Sequence, residues 1–218
     1  MKKVVILVGP SAVGKTTIAH EMLSRGDKYE LVRSVTTREQ RADSFGSEYI
    51  YISRDEFLHQ IEIGGVLEHT EYAGQLYGTP RSEIDRITSE GRVPLLILDL
   101  NGANSLYHAE GIAPCTIYLY DDIDVMEERL RGRYISDNTS DEDQRRYDSR
   151  RKQNLIDYSN MSEYEHFIYS FVKNCATVEC CANKIDEVYE IFAKETPKDN
   201  KASTETAVKL VEFARSKM

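Results

Sequence analysis

Short, uninterrupted apolar runs alternate along the chain with stretches in which apolar residues recur every three or four positions. Residues 3–8, KVVILV, form one such run and predict a buried strand. Residues 16–25 place Ile18, Met22 and Leu23 on one side and predict a helix. Residues 31–37 and 48–53 are rich in β-branched and aromatic positions and read as strands. Ser53-Arg54-Asp55-Glu56 is a capping-box pattern opening a helix with Phe57 and Ile61 inward, and Gly64-Gly65 ends it. Residues 66–73 read as a strand. Pro80 suits the first turn of a helix that stops at Gly91. The run VPLLILD over 93–99 has the near-continuous apolarity of a central parallel strand.

A short helix is expected at 103–109 and a strand at 115–120. A helix over 124–132 runs into the basic stretch RLRGR, closing with Arg133. Residues 134–143 are polar with no period. A charged helix at 144–158, a last strand at 166–171 and an amphipathic helix at 184–194 follow. Residues 197–202 look like a linker before a final helix over 204–216, with Ala207, Leu210, Val211 and Ala214 at helical spacing.

Strands alternating with helices imply an α/β fold around a parallel sheet. Two stretches break the rhythm: 33–82 is β-rich, and 124–147 is charged with a polar loop. Both read as inserts on the α/β core. At 218 residues, 40% hydrophobic and 30% charged, the chain has the profile of a globular domain with a sizeable core. Its net charge of −9 argues against general binding to nucleic acid or an anionic membrane, so any anion site must be a local basic cluster. No run approaches the roughly 20 apolar residues that span a bilayer, and no targeting signal is evident, so the expected location is cytoplasmic. Cys115, Cys175, Cys180 and Cys181 lack C-x-x-C spacing and are expected to be reduced thiols.

The most informative stretch is Gly9-Pro10-Ser11-Ala12-Val13-Gly14-Lys15-Thr16, a full match to G-x-x-x-x-G-K-[ST], followed by Thr17. Glycines let the backbone wrap so that several N–H groups face one anion. The helix that follows adds the positive end of its dipole. Lys15 is placed to reach the β- and γ-phosphates, and Thr16 offers a hydroxyl to Mg²⁺. The pattern implies binding of a nucleoside triphosphate.

Further motifs follow in order: SVTTREQR (34–41), GSEY (46–49), LEH (67–69), GQLYGTP (74–80) and DLNG (99–102). With the phosphate loop, this series resembles guanylate kinase, the P-loop nucleoside monophosphate kinase family, over residues 3 to about 195. The resemblance implies ATP and GMP or dGMP as small-molecule substrates and Mg²⁺ as the metal; it leaves the oligomeric state open. It implies a core of 1–32, 83–123 and 148–196, a GMP-binding insert at 33–82, a lid at 124–147 and a helical tail at 197–218. It also implies that Arg38 and Arg41 grip the GMP phosphate with Tyr49 and Tyr77, and that Ser34, Glu68 and Thr79 read the base. Arginine suits this because its fork holds phosphate bidentately. A carboxylate at Glu68 accepts from guanine N1–H and N2–H₂, and hydroxyls donate to O6; adenine offers the opposite pattern.

Attack on the γ-phosphate comes from a phosphate oxygen that is already ionised, so no general base is required. The resemblance assigns charge neutralisation to Lys15, Arg41 and the lid residues Arg133 and Arg146, with Arg129 nearby. Asp99, at the end of a strand, is expected to meet Mg²⁺ through water or hold the nucleotide. The family's late V-I-x-N-D, whose Asn lies near adenine, is matched here to Phe167-Ile168-Tyr169-Ser170-Phe171. Ile97 and Asn101 stand where the family has an acidic residue and Gln. Two other readings stay open: a non-catalytic guanylate-kinase-like binding module, and a kinase for another small phosphorylated acceptor.

Overall fold

The computed structural model describes residues 1–40, 49–72, 74–136, 138–174, 177–194 and 204–217. The elements run β1 (Lys2–Val8), α1 (Lys15–Ser24), β2 (Tyr29–Leu31), β3 (Ser34–Thr36), β4 (Tyr49–Tyr51), α2 (Arg54–Glu62), β5 (Val66–Tyr72), β6 (Gln75–Pro80) and α3 (Arg81–Ser89). They continue with β7 (Val93–Ile97), α4 (Leu100–Tyr107), β8 (Ile112–Tyr120), α5 (Ile123–Tyr134), α6 (Asp141–Ser159), α7 (Met161–Tyr164), a 3-10 turn at Glu165–Phe167, β9 (Ser170–Lys173), α8 (Val178–Lys194) and α9 (Thr204–Lys217). Five strands form one sheet in the order β2-β7-β1-β8-β9, and four form a second in the order β4-β3-β6-β5. In the first, β2 runs parallel to β7 and β8 parallel to β9. This is an α/β fold with a parallel sheet core. The central strand β1 is buried from Val4 to Val8, which is why its sequence shows no alternation. Among the described residues, no helix is long and apolar enough to cross a membrane.

By packing, the chain divides into two compact units, Met1–Ile6 with Met22–Pro114, and Leu7–Glu21 with Cys115–Met218. The first unit holds the second sheet, which falls within the β-rich stretch read as an insert. There β3 pairs parallel with β4 and antiparallel with β6, and β6 antiparallel with β5. Val35, Phe57 and Leu76 form its core, with Ile50, Ile52, Ile61 and Val66 packed around them. The helix beneath starts where its cap dictates: the Ser53 hydroxyl accepts the Glu56 N–H at 3.1 Å. In the second unit Tyr118, Met126, Leu130, Tyr158, Phe167, Cys181 and Ile185 are buried.

Most elements differ from the sequence reading by a few residues at their ends, with α4 starting at Leu100, β8 at Ile112 and α6 at Asp141, and α7 was not expected; four departures bear on the fold. The expected strand 31–37 is two strands in two sheets. The Val32 N–H still donates to Leu95 O at 2.9 Å, but Arg33 then turns to grip Glu83 of α3, with Nε–Oε2 at 2.8 Å and Nη2–Oε1 at 2.7 Å. Residues 166–171 are not a strand throughout. Phe167 and Ile168 are fully buried at the end of a helical turn, an apolar run that periodicity alone does not tell from a strand, and β9 begins only at Ser170. The segment Gln75–Pro80, read only as a motif, is β6. The helix expected at 184–194 begins at Val178, because Cys181 and Ala182 extend its buried face by a turn. The expected linker 197–202 lies outside the described residues.

Candidate functional site

The phosphate loop lies between β1 and α1 in the second unit, and its shape follows from three backbone facts. Gly9 has φ 141°, and a Cβ there would sit 2.3 Å from the carbonyl oxygen of Leu119 on β8, so only glycine fits. Ala12 adopts φ 68°, a left-handed conformation that costs alanine roughly 1 kcal/mol and is held by its surroundings. The Lys15 ammonium folds back onto its own loop, donating to Gly9 O at 2.7 Å and Pro10 O at 3.0 Å. Thr16 and Thr17 are exposed in the first turn of α1, the positive end of the helix.

Two asparagines hold this loop from outside, and sequence reasoning missed both. The Asn154 amide oxygen, on α6, accepts the Ser11 N–H at 2.8 Å. Asn174, directly after β9, donates through Nδ2 to Val13 O at 2.9 Å. Asn174 is itself fixed: its N–H donates to Tyr120 O at 2.6 Å, and the Cys181 thiol donates to its Oδ1 at 3.0 Å. With β9 at Ser170–Lys173, the late V-I-x-N-D pattern falls on Phe171-Val172-Lys173-Asn174-Cys175, four residues later than the sequence reading placed it. A strand assignment shifted by four residues hid the asparagine.

Arg133 and Arg146 are exposed in the last turn of α5 and near the start of α6. The Arg133 guanidinium lies 5.8 Å from the Tyr134 ring centroid. Arg146 pairs with Glu142 and, at 3.7 Å, with Asp143, both on its own helix. Arg129 pairs with Asp121 at 2.8 Å. Exposed pairs of this kind contribute about 0–1 kcal/mol each, so exchanging them for another anion is cheap.

The first unit holds the expected acceptor residues on the second sheet and on α4. Ser34 opens β3, and Arg38 follows two residues after it ends. Arg38 is wrapped by tyrosines: Nη2 donates to the Tyr51 hydroxyl at 3.4 Å, and the guanidinium lies 5.3 Å from the Tyr49 ring centroid. Tyr49 meets Tyr77 edge-on at 6.1 Å. Tyr51 was not singled out from sequence, although its hydroxyl accepts from the Arg38 guanidinium. The Arg38 Nε is buried with no hydrogen-bond partner among the described residues, a donor in need of an acceptor. Arg41 lies outside the described residues, as do 46–48 of the GSEY motif.

Glu68 on β5 and Thr79 on β6 meet across the sheet: the Thr79 hydroxyl donates to Glu68 Oε1 at 2.6 Å. Desolvation pushes the Glu68 carboxyl above its ordinary pKa. The two Thr79 hydrogen bonds pull the other way, and the Asp99 charge adds to the rise. Asp99 caps α4, its Oδ1 accepting the Gly102 N–H at 2.7 Å. Gly102 sits between the two carboxylates: a Cβ there would lie 3.3 Å from Glu68 Oε2 and 3.4 Å from Asp99 Oδ1. The structure thus brings Glu68, Thr79 and Asp99 together around a glycine, and Arg38, Tyr49, Tyr51 and Tyr77 together beside β3. Among the described residues, no group of three His, Cys, Asp or Glu side chains could hold a metal.

Known proteins resemble this chain consistently. The family model described as guanylate kinase matches residues 1–189. A guanylate kinase of Synechocystis is 36% identical over 132 residues, 60% of this chain and 69% of that protein. One from Salinibacter ruber is 36% identical over 145 residues, 65% and 77% of the two chains. Among solved structures, guanylate kinase from Anaplasma phagocytophilum superposes with a TM-score of 0.61 at 23% identity, covering 96% of this chain and 93% of that one.

Proposed function

The chain belongs to the guanylate kinase family, and on that footing we propose that it transfers the γ-phosphoryl group of ATP to GMP, and to dGMP, giving ADP and GDP. One observation carries the choice of acceptor: a desolvated carboxyl, Glu68, fixed by Thr79 beside Asp99 at a position where glycine leaves room. Such a carboxylate accepts from guanine N1–H and N2–H₂ and finds no matching donors on adenine N1. Since the Thr79 proton is already donated to Glu68, Ser34 is the hydroxyl left to donate to O6. Arg38, whose Nε has no hydrogen-bond partner among the described residues, suits the acceptor phosphate, with Tyr49, Tyr51 and Tyr77 around it. Arg41 joins it on the strength of the sequence resemblance.

On the donor side, Lys15 would leave the Gly9 and Pro10 carbonyls for the β- and γ-phosphates, exchanging two neutral acceptors for charged ones. The exposed Thr16 hydroxyl fits Mg²⁺, which keeps water and phosphate oxygens in its shell and needs no all-protein cage. Bound there, the metal neutralises charge on the transferring phosphate. The chain's own part is positioning: loop amides hold the donor, Arg38 and Arg41 aim the acceptor phosphate, and Arg133, leaving the Tyr134 ring, and Arg146, leaving its weak surface pairs, neutralise charge and exclude water. The insert at 33–82 and the lid at 124–147 are the parts that would close.

The test separates donor from acceptor. Lys15→Ala should lower kcat at least about a thousandfold with GMP binding retained. Arg38→Ala should raise KM for GMP about tenfold or more with KM for ATP little changed. Normal turnover in Lys15→Ala would refute the donor assignment, and an unchanged KM for GMP in Arg38→Ala the acceptor one.

A further inference from the structure

The match to the family ends at residue 189, and α9 begins at Thr204. This helix buries Ala207, Leu210, Val211 and Ala214 along one stripe, and it packs on α6 and α7. The inner face of α6 carries two buried side chains one turn apart, Asn154 and Tyr158. The Tyr158 ring meets Phe213 of α9 edge-on at 6.3 Å, and its hydroxyl donates to the Met126 sulfur of α5 at 3.6 Å. One turn earlier on the same face, Asn154 Oδ1 accepts the Ser11 N–H of the phosphate loop. Asparagine is a weak helix former, and a buried amide costs stability unless it is bonded, so its place in this helix is accounted for by that contact.

We propose that α9 is an intramolecular strap that positions the phosphate loop through α6, with Asn154 as the positioning residue. A helix is stiff along its axis, so Phe213 against Tyr158 fixes the register of α6 one turn earlier, at Asn154, as well as at the contact. A slip of about 1 Å would take the Asn154–Ser11 bond out of hydrogen-bond range. The loop would then be held by Asn174 alone of the two asparagines, and its amides would converge less tightly on the donor phosphates. The donor is taken from the kinase reading above, on which the strap rests for its ligand.

The test is a double-mutant cycle on the full chain, read as Kd for Mg-ATP by titration calorimetry. Phe213 is only half-buried, so Phe213→Ala removes the strap contact without opening the core. Phe213→Ala and Asn154→Ala should each weaken Mg-ATP about fivefold, the loss expected for one hydrogen bond. The double variant should bind no more weakly than Asn154→Ala alone, because both changes cut the same relay. Kd for GMP should stay unchanged in all of them. Phe213→Leu, which keeps most of the apolar volume, should give a smaller shift of the same sign and carries the cycle if truncation unfolds the chain. The strap is refuted if the two effects multiply to about twenty-five-fold, or if the Phe213 variants melt earlier with Kd for Mg-ATP unchanged. Because the readout is donor binding, failure to phosphorylate GMP would count against the kinase reading and leave the cycle intact.

Discussion

Glu68 and Glu83 lie fifteen positions apart in the same unit, both with carboxyls drawn out of water, and they are treated oppositely. Glu83 is clamped. Arg33 holds it with a two-bond fork, and Arg86 adds bonds at 3.0 and 3.2 Å while also reaching Glu30 at 2.5 Å. The Arg33 and Arg86 bonds pull its carboxyl down to about 2. Glu68 has a hydroxyl and an N–H from Thr79 and another carboxylate nearby, and its pKa rises. The first glutamate has its charge answered within the protein, where the chain passes from one sheet to the other. The second, among the described residues, meets the neutral Thr79 groups and no cation. A desolvated carboxyl with no counter-ion is a candidate ligand site, whereas a satisfied ion-pair network is a place built to stay put.

The largest effects come from exchanging the two fates. On the proposed reading, Glu68→Gln replaces one of the two acceptors facing guanine with a donor and should lower kcat/KM for GMP about a hundredfold or more. It should leave stability equal or higher at neutral pH, because a raised folded-state pKa means that ionising Glu68 opposes folding. Glu83→Gln should do the reverse: KM for GMP little changed, and unfolding free energy lower by about 2–3 kcal/mol as the two arginines lose their partner. Steady-state kinetics and denaturant unfolding on the same two proteins check both. If the variants behave alike, the contrast between site and clamp is wrong.

Acid sharpens the comparison, since the two glutamates take up protons at different points. Glu83 stabilises the fold fully above its ordinary value of 4.5, and that contribution is lost as pH falls towards about 2. Glu68 takes up its proton above the ordinary value, and the protonated form, with a donor on one oxygen, cannot accept from both guanine N1–H and N2–H₂. There should therefore be a pH range in which GMP affinity has fallen but the fold is intact and the loss reverses on neutralisation. Subtracting the Glu68→Gln profile removes the titration of the GMP phosphate itself. Affinity and unfolding lost together on acidification would contradict it.

The smallest effect tests the clamp by halves. Arg33→Met leaves Glu83 with Arg86 and should cost only about 1 kcal/mol, since the Arg33 side chain is 37% exposed and already screened by solvent. A loss as large as that of Glu83→Gln would mean that Arg33 alone carries the clamp.

What the sequence made legible follows the range of the contacts. The phosphate loop is contiguous, so its glycines, Lys15 and Thr16 were readable from spacing. Glu68 and Thr79 are eleven positions apart and were readable as members of an ordered series of motifs. Asn154 and Asn174 were not, because their bonds to Ser11 and Val13 span 143 and 161 positions and no local pattern announces them. The break at Val32–Arg33 was hidden for a similar reason: LVRSVTT alternates well enough for one strand, and the partner that turns it, Glu83, lies 50 positions on. The tail helix was visible by its apolar stripe, but the helices it packs on were not.

The most direct measurement is ADP release by the native chain with Mg-ATP against GMP, dGMP, AMP, CMP and UMP in parallel. Turnover with GMP and dGMP, and with the other three at least a hundredfold slower, is the result that the Glu68 carboxylate predicts. Equal turnover with AMP, or none with GMP in protein that binds Mg-ATP, would contradict it.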